Sequence, residues 1–153
     1  MLEGIAMRTV STVIIHKPVQ EVWRFFDDPH NMPLWLTGFK RFEHVSDTPG
    51  NPGAISKHYY EMNGRTIEMT ETITVRNEYS EFSGTVTNQW MASTLTTTFR
   101  DLGNGSTEMT SSVDSTFTPF FLKLFISLMM KKGFQKRQDK DLNRLKTVLE
   151  EKR

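Results

Sequence analysis

Hydrophobic and polar residues alternate along the middle of this chain as they do on β-strands. In the stretch GRTIEMTETITVR, residues 64–76, Ile67, Met69, Ile73 and Val75 fall on one side, and Thr66, Glu68, Thr70, Thr72 and Thr74 on the other. Successive strand side chains point to opposite faces. Glu71 therefore lies on the apolar face, between Met69 and Ile73, and a carboxylate is aimed at whatever this strand covers.

The same pattern predicts the other elements. RTVSTVIIHK (8–17) is a β-branched run and a first strand. Pro18 then opens PVQEVWRFFDD, where Val19, Val22, Trp23 and Phe26 recur at helical spacing to about Asp28. DPHNMPLWL suits a broken second helix, and FKRFEHVS a strand before the turn cluster DTPGNPG. From residue 54 to 117 strand follows strand, with Asn63-Gly64 and GNG (103–105) as hairpin turns. Short turns between successive strands mean an antiparallel meander. After Pro119, residues Phe120 to about Glu150 hold no proline and one glycine, Gly133, near which the helix can kink or loosen. Leu142, Leu145 and Leu149 keep helical spacing there, which predicts one long C-terminal helix.

This order builds an α+β domain in which the last helix is the only element long enough to cover a curved sheet. Phasing the strands gives the covered face. The sixth strand contributes Met91, Leu95 and Phe99, the seventh Met109, Val113 and Phe117, and the third His58, Tyr60 and Met62. Ser56, Gly84, Ser93, Thr97 and Ser111 fall among them. Small and polar residues on a covered face do not fill space as Leu or Ile would. An underfilled, partly polar interior is what a ligand pocket looks like.

Composition narrows the function classes. The 153 residues suffice for one domain with a substantial core. Lys and Arg total 19 against 18 Asp and Glu, a net charge of +1, which argues against nucleic acid as a partner. Without cysteine there is no disulfide, no thiolate nucleophile and no Cys-based metal site. The four His fall at no helical metal spacing, no nucleotide fingerprint occurs, and the sequence implies neither metal nor cofactor. The start MLEGIAMRTV lacks the pattern of a secretory signal, so the expected compartment is the cytoplasm. FTPFFLKLFISLMM contains Pro119 and Lys123 and is too short to span a bilayer, so no stable membrane insertion is expected.

The stretch IIHKPVQEVWRFFDDPHNMPLW resembles the opening of the START-like (SRPBCC, helix-grip) superfamily, particularly its polyketide cyclase/dehydrase branch. The resemblance rests on Ile15, Pro18, Val22-Trp23, Asp27 or Asp28, and Trp35, and is joined by the TPGNPGA turn, the DLGNGSTEMT hairpin and the long terminal helix. It covers residues 8 to 150 of a single domain, 1–153. It implies a curved seven-stranded antiparallel sheet gripping the C-terminal helix, with two short helices after the first strand. It also implies a cavity for apolar small molecules. The fold carries lipid carriers, receptors, cyclases and cochaperone-like modules, so the fold alone does not choose among them.

Candidate site residues follow from the phasing. Glu71 is a polar anchor or a general acid/base, since an unpaired carboxylate in an apolar cavity has a raised pKa. The alternative is an ordinary ion pair. His58 and Tyr60 share a face on the strand paired to that of Glu71, with Tyr60 near Ile67 and His58 near Met69. A His58–Glu71 pair could move a proton, as a cyclase or dehydratase would require, or make one core hydrogen bond. Trp35, Trp90, Met69, Met91, Leu95, Phe117, Phe121 and Phe125 are the expected apolar lining for a small apolar or amphipathic ligand. The almost wholly apolar first half of the last helix is also a surface for a protein partner or a homodimer. The basic stretch 131–140 reads as a solvated face.

Overall fold

The computed structural model describes residues 5–46, 48–118 and 127–152. Strand β1 (Ile5–Ile15) is followed by helix α1 (Val19–Asp27), a 3-10 turn at Pro29–Asn31 and the short helix α2 (Met32–Trp35). Six more strands follow: β2 (Phe39–His44), β3 (Ile55–Met62), β4 (Arg65–Asn77), β5 (Glu81–Thr87), β6 (Met91–Asp101) and β7 (Thr107–Phe117). Helix α3 (Ser127–Glu151) ends the chain. The sheet order is β1-β7-β6-β5-β4-β3-β2, every pair antiparallel. The chain is thus a seven-stranded antiparallel sheet with a long C-terminal helix and two short helices after the first strand, the helix-grip fold.

Local chemistry explains the boundaries. α1 ends where Asp28 precedes Pro29, because a residue before proline is driven to extended backbone; Asp28 sits at φ −90°, ψ 110°. Asp28 then accepts a hydrogen bond from the His30 N–H at 3.0 Å. Asp27 instead pairs with Arg76 of β4, tying α1 to the sheet. α3 continues through Gly133, where a Cβ would meet nothing within 4 Å, so close packing does not require glycine there.

The packed core lies at one end of the covered face. Phe99 of β6 meets Trp23 at 5.2 Å and Phe26 at 5.1 Å, and Phe26 also contacts Phe82 and Trp35. Leu142, Leu145 and Leu149 of α3 close over this cluster, each at most 3% exposed. The heptad-like spacing of these leucines places them on one helical stripe, which is buried here.

At β4 and β5 the structure departs from simple alternation. Strict alternation from Ile73 puts Val75 on the inner face, but a bulge between Ile73 and Val75 advances the alternation by one residue. Arg76, in register with Phe82, is the residue that reaches α1, its guanidinium 5.7 Å from the Trp23 ring. Gly84 is not simply a gap in the interior filling. A Cβ there would stand 2.8 Å from the Thr72 carbonyl, so glycine lets two backbones approach at that bulge.

Candidate functional site

The β3–β4 hairpin positions the chemistry. Asn63 and Gly64 adopt positive φ (52° and 76°), forming the tight two-residue turn. The turn locks Tyr60 opposite Ile67, His58 opposite Met69 and Ser56 opposite Glu71. On its other side Glu71 is in register with Val86 of β5, then Ser93 of β6, Ser115 of β7 and Met7 of β1. One row of the sheet thus reads Ser56, Glu71, Val86, Ser93, Ser115, Met7. The hydroxyls of Ser93 and Ser115 bond each other at 2.7 Å.

Glu71 points into this row with its side chain 14% exposed, beside His58 at 5%. His58 Nε2 is 3.6 Å from Glu71 Oε1, too long for a hydrogen bond, and 3.2 Å from the Ser56 hydroxyl. Burial pushes the Glu71 carboxyl up to about 7 and the His58 imidazole down to about 4. The histidine is therefore neutral at physiological pH, and the 3.6 Å contact is no ion pair. Burial also pushes the Tyr60 phenol up to about 12. The ring of Phe39 stands edge-on to both His58 (5.7 Å) and Tyr60 (5.3 Å).

A second polar cluster backs this one, and the sequence reading missed it. Arg137 does not lie on the solvated basic face that its sequence neighbours suggest. It is half-buried, 5.4 Å from the Tyr60 ring, and donates to the Thr37 carbonyl at 2.9 Å. Asp141, one turn on, is 7% exposed and accepts from the Thr37 N–H (3.1 Å) and hydroxyl (2.5 Å). Burial raises its carboxyl above the usual range, against the lowering effect of those bonds. The available signal was the i, i+4 spacing of Arg137 and Asp141 on one helical face.

The remaining expected site residues divide by position. Met69 is buried, with Asn88 Nδ2 3.1 Å from its sulfur. Met91 and Leu95 are half-buried on the inner face of β6. Phe117 is buried and stacks on Phe134 of α3 at 5.7 Å. Trp35 belongs to the packed aromatic cluster, yet its indole N–H has no hydrogen-bond partner among the described residues, and neither has Gln138 Oε1. Trp90 stands in the β5–β6 turn, 41% exposed and outside the inner rows. Phe121 and Phe125 lie outside the described residues. Among the described residues, no three His, Asp or Glu side chains converge as a metal would require, and no helix is long and apolar enough to cross a membrane. A hollow of about 480 Å³ opens at the sheet where Arg8, Thr85, Thr94 and Asp114 of the outer face line it together with Met7, Ser93 and Ser115 of the Glu71 row.

The fold is shared with several solved structures. A START superfamily protein from Mycobacterium smegmatis matches with TM-score 0.78 at 15% identity, covering 94% of this chain and 97% of the other. Ara h 8.0201 matches with TM-score 0.73 at 15% identity, over 97% and 100% of the two chains. Norcoclaurine synthase from Thalictrum flavum, in complex with dopamine and hydroxybenzaldehyde, matches with TM-score 0.68 at 15% identity, over 99% and 91%. No curated protein sequence matches the chain significantly. The family model described as polyketide cyclase/dehydrase and lipid transport matches residues 7–150, nearly the whole length. The chain belongs to that family, a branch of the START-like superfamily.

Proposed function

We propose that the chain is a single small-molecule-binding domain. It receives an apolar or amphipathic ligand between the sheet and the C-terminal helix, at the end where Glu71, His58, Ser93 and Ser115 lie. What supports this reading is the content of that end: serines, methionines and a carboxyl with no cationic partner among the described residues occupy a covered face whose other end is filled with aromatic rings and leucines. Small polar side chains leave room there, and a few polar groups in a mostly apolar wall orient a ligand. Met69, Met91, Leu95, Phe117 and Tyr60 supply the wall, and Glu71 the anchor. The family's description includes lipid transport, in keeping with a carrier. Native mass spectrometry of the purified protein, repeated under denaturing conditions, tests the proposal. A small non-covalent mass released on denaturation is the expected result, and a protein that takes up no member of a lipid and aromatic library overturns it.

The approach of His58 to Glu71 favours a second reading, a cyclase or dehydratase acting on a carbonyl compound. A carboxyl titrating near 7 beside a neutral imidazole has the proton affinities that general acid–base exchange needs. On this reading Glu71→Gln and His58→Ala each lower the turnover of a confirmed substrate. Unchanged turnover in both removes it.

A further inference from the structure

We propose that the polar end of the ligand is a basic amine, and that the Glu71 carboxylate receives its ammonium group. This rests on the reading of this end of the sheet as a ligand site and adds the ligand's charge to it.

Glu71 has no cationic partner among the described residues, because the cations around it are committed elsewhere. Arg137 is held by the Thr37 carbonyl and lies near Asp141 at 4.0 Å. Arg76 is paired with Asp27 beyond the bulge. Lys57 is on the outer face of β3, with Glu68. The local hydroxyls are committed too: Ser93 and Ser115 bond each other, and Ser56 meets His58. The neutral His58 stands 3.6 Å away and supplies no charge. Among the described residues the carboxyl thus sits in a covered row with neither a hydrogen-bond donor nor a counter-ion, and burial is what raises its pKa.

Three kinds of ligand head can be compared at that point. A carboxylate would place two like charges together. A hydroxyl would offer one donor and leave the buried charge uncompensated. An ammonium supplies several N–H donors and the opposite charge, and charge-assisted bonds of this type are the strong ones. Met69 and Met91 on the neighbouring inner positions can adapt to the apolar body.

Titration calorimetry at mildly alkaline pH with decylamine, decanol and decanoate, on the wild-type protein and on Glu71→Gln, tests the assignment. The expected result is decylamine binding about tenfold or more tightly than decanol, decanoate binding most weakly, and Glu71→Gln losing the preference for the amine while still binding decanol. Decanol or decanoate binding as tightly as decylamine overturns the assignment, as does an amine preference that persists in Glu71→Gln. In both cases the ligand site itself stands. If none of the three probes binds, the ligand site fails and the amine assignment with it.

Discussion

Strands β6 and β7 run the length of the covered face and meet two different interiors. Near one end Phe99 of β6 lies in register with Met109 of β7, and both are buried against α1 and the leucines of α3. Six residues along β6, Ser93 lies in register with Ser115, and these two buried positions hold only hydroxyls. Strand periodicity is the same in both places. What differs is side-chain volume and whether polar groups find partners. A fold can thus carry dense apolar packing at one end of a sheet and small polar side chains at the other, and truncation is most costly where the packing is dense.

Substitutions can break that contrast. Leu145→Ala removes a side chain with no exposure in the packed end and should cost about 4 kcal/mol in denaturant unfolding. Met91→Ala, half-buried at the other end, should cost about 1 kcal/mol. Equal losses would abolish the distinction.

Titration provides the next test. The Glu71 pKa rises from 4.5 to about 7 on folding, so its contribution to stability is complete below 4.5 and lost as pH rises through about 7. Glu71→Gln, which cannot ionise, should gain on the wild-type protein over that window by up to about 3 kcal/mol. His58 moves oppositely: its pKa falls from 6.5 to about 4, so stability is lost as pH falls through that range. Stability plotted against pH for the two proteins should therefore separate between about 4.5 and about 7 and keep that gap above it. Parallel curves would mean that Glu71 is solvated.

Overfilling gives the smallest effect. Val22→Phe, at a fully buried position in α1, should destabilise by about 2 kcal/mol. Val86→Phe, next to Glu71 in the row, should cost less than about 1 kcal/mol and lower ligand uptake. Thermal melts of the two variants, with uptake measured by native mass spectrometry, check this.

Element order, the β3–β4 register and the inward direction of Glu71 were all legible in the sequence. Alternation gave the faces, and the Asn63-Gly64 turn fixed the pairing of His58 with Met69. The errors have one common cause, which is that they depend on a partner strand or helix far along the chain. The bulge after Ile73 is invisible until β4 is counted against β5, and Gly84 looks like a gap until the Thr72 carbonyl is placed beside it. Arg137 looks solvated within its basic stretch because Thr37 and Tyr60 are about a hundred and about eighty residues away along the chain, where only the tertiary fold brings them close.

The side of β1 that faces away from β7 is occupied by α3. Gln135 donates to the Val10 carbonyl, Lys146 to the Ile14 carbonyl, and Glu150 accepts from the His16 N–H. Among the described strands only β2 keeps a free side. A sheet with two open sides can add copies of itself without limit, as fibrils do. With one side closed by a helix, strand addition at β2 would terminate after a single partner, which leaves a pairwise assembly as the largest such sheet can build without α3 first detaching.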